Sequence, residues 1–399
     1  MTRPQHRPPS WLLVLALALT GLSMRTAVTS VGAVLDDLQH GLHVSGGVAG
    51  VITTVPVICF AGLGSLTPRL GRRFGAHRLL AAALVVSTVG LALRPIGSSV
   101  VWFALGSVLA LAAGAVSNVL MPSLVKEHFP DRIGPMTALY TTALAVGTTA
   151  AAGLTVPIAD ASGGGWRGGL GWWAVLTALA VVPWLPTTRR DASAPDDPTA
   201  AVSLGRLARS RTAWALTAFF AMQSWQAYIA FGWFARFLHD HGISNATAGA
   251  MVALLSATAI PVSLLAPRVA PQRLRGVIAG LGLCYLVAYV GMSVAPVGGA
   301  WVWMALVGVG SGMFPVALTL IGLRSRTAAT TAALSAFVQA IGYVVAGCGP
   351  LLFGALFGAT GSWALPMAVL FVALAATLVA AWPSTADRFV DDELATSRS

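Results

Sequence analysis

The amino-acid sequence predicts an all-α membrane protein of twelve transmembrane helices in two six-helix bundles. Three observations lead there: twelve long apolar runs, a one-sided distribution of basic residues, and a weak repeat relating the two halves. Of 399 residues, 56% are hydrophobic and only 9% charged, against roughly 25% charged in soluble domains. That deficit does not fit a cytosolic enzyme. The net charge of +11 does not point to nucleic acid either, because the basic residues sit in short pieces between the apolar runs.

About 20 mainly apolar residues cross a bilayer. Runs that qualify cover 11–35, 45–66, 78–96, 99–125, 135–158, 168–186, 212–235, 247–267, 276–295, 300–321, 330–357 and 362–382. The first follows Arg3 and Arg7 as a signal peptide would, but its apolar character continues to Leu35, so it is read as a membrane helix. The longest polar piece, 187–211, is rich in Pro, Asp and Arg. The expected organisation is a tail (1–10), a first bundle (11–186), a linker (187–211), a second bundle (212–382) and a second tail (383–399).

Loop charge sets the orientation. With the N-terminus inside, 20 basic residues fall on the cytoplasmic side and three, Arg94, Arg167 and Arg236, on the outer side. This bias predicts both termini in the cytoplasm and an even number of spans, in a bacterial inner membrane. Ala49-Gly50 and Ala248-Gly249 lie 199 positions apart, as do Pro68-Arg69 and Pro267-Arg268. Such repeats mark transporters with a site at the midplane between the halves.

The stretch Gly64-Ser-Leu-Thr-Pro68-Arg69-Leu-Gly71-Arg72-Arg73 resembles the signature loop of the major facilitator superfamily, with Pro68 where the family usually has Asp. Met24-Arg25 to Gly32, Asn118 to Pro122, Phe314-Pro315 to Arg324 and Gly349-Pro350 to Gly354 resemble its cyanate and nitroimidazole transporter branch. The resemblance implies two six-helix bundles around a central cavity and alternating access. It also implies a cytoplasmic lock, which Pro68 puts in question. Arg69, Arg72, Arg73 and Arg268 are then topology and gate elements. Helices 2 and 11 meet near the outer surface in this fold, so Gly46-x-x-x-Gly50 and Gly354-x-x-x-Gly358 are expected to form an outer gate.

Arg25 is the most informative residue. It lies 14 positions after Trp11, roughly 21 Å along a helix, and Asp36 is roughly 15 Å further on. A charge at such depth costs about 2.5–3.5 kcal/mol even on the lenient insertion scale. No Asp or Glu lies well inside any run, so an internal ion pair is not expected. Arg25 is read as facing the cavity and binding an anion or a strongly dipolar solute; the alternative is a guanidinium satisfied by helix-end carbonyls and buried water. Gln223, Trp225 and Tyr228 in the repeat-equivalent helix, Asn118, Tyr140, and the i,i+4 pair Gln339 and Tyr343 are the further candidates for the solute site. The alternative for the amides is interhelical hydrogen bonding.

Cys59, Cys284 and Cys348 lie in separate runs and read as free thiols. The seven histidines fall at the ends of runs, so no metal site is expected, and no cofactor either. No P-loop, G-x-S-x-G or H-E-x-x-H motif is present, which argues against an ATP-driven pump and against an enzyme. The expectation is a secondary transporter, a monomer in the lipid bilayer that binds no nucleic acid, for a small anionic or dipolar solute such as cyanate. Efflux of drug-like or nitroaromatic compounds is the alternative; a membrane enzyme or sensor is a more distant one.

Overall fold

The computed structural model describes residues 10–43, 46–192 and 204–396. Among them, ten helices are long and apolar enough to cross a membrane, and two further long helices complete the expected twelve. In chain order, α1 comprises Ser10–Ser23 and Thr26–Ala33, α2 is Gly46–Phe74, α3 Ala76–Leu93, α4 Val100–His128 and α5 Ile133–Ala161. The sixth, α6, runs through Gly165–Gly171, Trp173–Val181 and Val182–Ala192. The second half holds α7 Arg211–Asp240, α8 Asn245–Leu265, α9 Leu274–Val294, then α10 as Ala300–Gly310 and Met313–Leu323, α11 Ala328–Thr360 and α12 Ala364–Ser384. One helix outside the ten is α7, diluted by Gln223, Gln226 and its Trp and Tyr residues.

Several boundaries differ from expectation. The signature stretch 64–73 is not a loop: α2 continues through Pro68 to Phe74. Residues 187–192 extend α6 rather than opening the linker, and 1–9 and 193–203 lie outside the described residues. The second tail is folded. Its helix Val390–Thr396 docks on the ends of α7, α10 and α11. Glu393 accepts from Ser210 Oγ at 2.6 Å and from Thr212 Oγ1 and backbone N–H at 2.7 and 3.2 Å, which caps the start of α7. Asp391 accepts from Thr330 Oγ1 at 2.7 Å in the first turn of α11. Val390 and Leu394 are buried beneath.

The break in α1 falls at Met24-Arg25, and local chemistry accounts for it. Ser23 Oγ donates to Thr20 O, Thr26 Oγ1 to Ser23 O and Thr29 Oγ1 to Arg25 O, at 3.0–3.1 Å. Hydroxyls that bond back one turn compete with the helix ladder and bend it. Above the break, Arg94 Nη1 donates to Ala27 O at 2.9 Å and Nη2 to Ser30 Oγ at 3.4 Å. Arg94 was expected at the outer surface; it is instead 1% exposed, with its guanidinium 5.3 Å from the Phe103 ring. A span end near polar loops does not reveal that the side chain folds back onto α1.

The two bundles meet along α2–α11, α4–α10, α4–α11, α5–α8 and α5–α10. Pro122 has no N–H, so the Asn118 carbonyl four residues earlier is left without its helical donor. Gln339 Nε2 supplies one across the interface at 2.6 Å, with Ser335 Oγ at 3.4 Å. Toward the face that carries the tail helix, Ser123 Oγ donates to Ala328 O at 2.7 Å and Lys126 Nζ to Gly322 O at 3.4 Å. On α5, a Cβ at Gly134 would lie 2.2 Å from Pro267 O, so only glycine permits that approach. The bundles are therefore closed against each other on the tail-helix face.

Two outcomes are expected. Arg94→Met loses two charge-assisted hydrogen bonds, each about 1.5–3 kcal/mol, whereas Arg25→Met strands no carboxylate and melts closer to wild type; thermal melting of both variants checks this. At Glu393, burial would raise the carboxyl, but the hydrogen bonds from Ser210, Thr212 and Arg211 outweigh it and hold it below its ordinary value of 4.5. A depressed carboxyl stabilises above that ordinary value and loses the effect as pH falls through the lowered one. Glu393→Gln should therefore cost about 1 kcal/mol at pH 7, the scale of a helix cap, and less as pH falls below 4.5, read by melting across that range.

Candidate functional site

The breaks in α1 and α10 face each other across the bundle interface. The Arg25 guanidinium lies 5.7 Å from the ring of Phe60 on α2 and 5.7 Å from that of Phe314, just past the α10 break. Both distances are within cation–π reach. Tyr343 packs on Phe60 at 5.4 Å and edge-on to Phe220 at 5.2 Å; Phe220 meets Phe314 at 6.0 Å, and Tyr228 meets Tyr343 at 6.4 Å. Aromatic side chains from α2, α7, α10 and α11 thus enclose a cation contributed by α1. Arg25 is half-buried by surface area.

The polar atoms here are unusual. Among the described residues no carboxylate pairs with Arg25, and its buried Nε has no hydrogen-bond partner. The Tyr228 and Tyr343 hydroxyls lie within electrostatic reach of the guanidinium, yet each is a buried oxygen without a hydrogen bond of ordinary geometry. Tyr140 OH, within electrostatic reach of Tyr343, Asn118 Nδ2 and Oδ1, and Gln339 Oε1 are likewise buried and unpartnered. Buried polar atoms are almost always satisfied in native proteins, and each exception calls for an explanation. Here seven such atoms fall on six residues of the interface.

Those six, Arg25, Asn118, Tyr140, Tyr228, Gln339 and Tyr343, are among the eight solute-site candidates of the sequence. The other two behave differently. Gln223 is turned to its own helix, donating to Phe220 O at 3.1 Å and Ser224 Oγ at 2.5 Å. Trp225 packs on α11, where a Cβ at Gly349 would lie 2.4 Å from its indole. Gln226 bonds Thr377 Oγ1 at 2.8 Å and accepts from Tyr289 OH at 3.1 Å, tying α7 to α12 and α9. Phe60 had no signal in the sequence and Phe314 entered only through the family resemblance, since an aromatic in an apolar run reads equally as lipid-facing.

The gate candidates are placed as follows. Arg69, Arg72 and Arg73 are exposed on the last turns of α2, Arg73 lying 5.4 Å over the Phe74 ring. Arg268 is exposed beside the Gly134–Pro267 contact. Gly354 backs onto Trp233 of α7 in its own bundle, and Gly358 has nothing within 4 Å of a built Cβ. Gly46 and Gly50 belong to α2, but their surroundings lie outside the described residues. The histidines hold one departure from expectation: His77 and His128, 51 positions apart, are in contact.

Residues 13–347 match the family model of the Major Facilitator Superfamily. The chain is 36% identical over 398 residues to an uncharacterized transporter, YycB, of Bacillus subtilis (strain 168), covering 98% of each. It is 33% identical to the 2-nitroimidazole transporter of Escherichia coli (strain K12), covering 89% of this chain and 91% of that one. To the cyanate transport protein CynX of the same organism it is 27% identical over 89% and 92%. The proton:xylose symporter XylE superposes with a TM-score of 0.77 at 14% identity over 98% and 99% of the chains. With its twelve helices in two bundles, the chain belongs to the major facilitator superfamily and is a membrane transporter of that type.

Proposed function

We propose that this transporter carries a small anionic or strongly dipolar solute, with Arg25 as its anchor. The observation that carries the reading is a guanidinium with no carboxylate partner and a buried, unpartnered Nε, amid unpartnered polar atoms of Asn118, Tyr140, Tyr228, Gln339 and Tyr343. A guanidinium presents a planar fork of donors and stays protonated at physiological pH, so it suits planar oxyanions or nitro groups and cannot act as a proton carrier. The tyrosine hydroxyls and the amides would complete the solute's hydrogen bonds.

Transport proceeds, on this reading, by alternating access of the two bundles. The contacts Gln339–Asn118, Ser123–Ala328 and Lys126–Gly322 must part when the tail-helix face opens, with Arg69, Arg72, Arg73 and Arg268 at its rim. The stripes Gly46 to Gly50 and Gly354 to Gly358 would let α2 and α11 close the other face. Loop charge assigns the tail-helix face to the cytoplasm, hence both termini inside a bacterial inner membrane. The chain acts as a monomer and catalyses no reaction. A second reading, efflux of nitroaromatic or drug-like compounds, draws support from the rings of Phe60, Phe314, Phe220, Tyr228 and Tyr343 and from the relative that transports 2-nitroimidazole.

Binding of cyanate and of 2-nitroimidazole to purified variants tests the anchor. Losing charge-assisted hydrogen bonds of about 1.5–3 kcal/mol should weaken binding about 10- to 100-fold in Arg25→Ala, with Arg25→Lys between it and wild type. A well-folded Arg25→Ala that binds both solutes as wild type does removes Arg25 from the site. Orientation is checked separately: a phosphatase reporter fused after residue 163 should be active and one fused within 187–211 inactive, and the reverse pattern contradicts the assignment.

A further inference from the structure

We propose that His77 and His128, with Glu127, form a binding site for a late transition-metal dication on the tail-helix face of the first bundle. His77 is the second residue of α3 and His128 the last of α4. Gly75, at φ 88°, makes the turn from α2 into α3, and the packing of α3 against α4 sets the start of one beside the end of the other. Their Nε2 atoms are 2.8 Å apart. His77 is 2% exposed and the His128 side chain 8% exposed, and the Trp184 ring stands 6.1 Å from that of His77. The Glu127 carboxylate is 4.0 Å from His128 Nε2, and the three ligand atoms all lie within 4.8 Å of one another.

Two imidazoles that meet through the same nitrogen can share one proton, or they can both turn lone pairs toward one cation. The 2.8 Å spacing is that of a shared proton, and it also lies close to the spacing of the second arrangement. Metal–imidazole bonds are about 2.0–2.1 Å long, so two such nitrogens stand about 2.9 Å apart at a right angle and about 3.3 Å apart at the tetrahedral angle. The observed pair therefore needs a shift of at most about half an ångström to chelate an ion. A set of two imidazoles and one carboxylate selects zinc, copper or nickel over magnesium or calcium. The Glu127 side chain, 43% exposed, gives the ion an approach from water. Because α3 and α4 belong to one bundle, the ion would tie these helix ends together without bridging the bundles. The site is independent of the solute reading.

The test uses the full chain, purified with its affinity tag removed and stripped with chelator, then titrated with Cu(II) and Zn(II). The expected result is one ion per chain, a raised melting temperature, and a Cu(II) paramagnetic resonance spectrum split by two nitrogens. His77→Gln and His128→Gln should each abolish stoichiometric binding, and Glu127→Gln should weaken it by a smaller factor. Absence of a stoichiometric ion, or an ion retained with the same nitrogen splitting in both glutamine variants, overturns the site. Should a variant fail to fold, the wild-type spectrum decides alone: no nitrogen splitting means no such site.

Discussion

A single unpaired guanidinium in the membrane interior is the constraint around which this structure is arranged. A charge at the bilayer centre is expensive, and Arg25 has no carboxylate partner among the described residues. What surrounds it is softer: two aromatic faces at 5.7 Å, one from each bundle, and polar atoms that themselves lack partners. Cation–π contacts of this kind contribute about 0.5–2 kcal/mol each, enough to offset part of the cost while Nε keeps no hydrogen-bond partner. An ion pair would have offset more of it. Arg25 sits at the break in α1, with Arg94 holding the segment beyond it.

The same economy of unsatisfied groups governs the interface between the bundles. Pro122 removes one helical donor, and the carbonyl it frees is used by Gln339 of the opposite bundle. That bond forms between groups that water can also satisfy, so parting it during a conformational change costs little net free energy. Gln339 also leaves its Oε1 unpartnered beside the tyrosines. One side chain thus links closure of the tail-helix face to the unpartnered polar groups of the bundle interface.

Much of this was legible in the sequence because membranes penalise polarity visibly. The spans follow from apolar length, and Arg25, Asn118, Tyr140, Tyr228, Gln339 and Tyr343 stand out because each is polar where lipid would reject it. Gln223 stood out equally and yet bonds within its own helix; spacing fixes which residues share a face, not how far the helix is rotated toward the cavity. Phe60 and Phe314 could not be distinguished from lipid-facing aromatics. Arg94 was hidden by its position near a span end, and the meeting of His77 with His128 by 51 intervening residues and the packing of two helices. The docked tail depends on hydrogen bonds from Glu393 and Asp391 to helix starts far along the chain, which no local pattern announces.

The most direct measurement is an experimental structure of the purified chain with a bound solute, cyanate or 2-nitroimidazole. The account predicts the solute's oxygen or nitrogen atoms within about 3.2 Å of the Arg25 guanidinium nitrogens, hydrogen-bond distance, between the rings of Phe60 and Phe314. A solute seated elsewhere, with Arg25 bonded to backbone carbonyls, would contradict it.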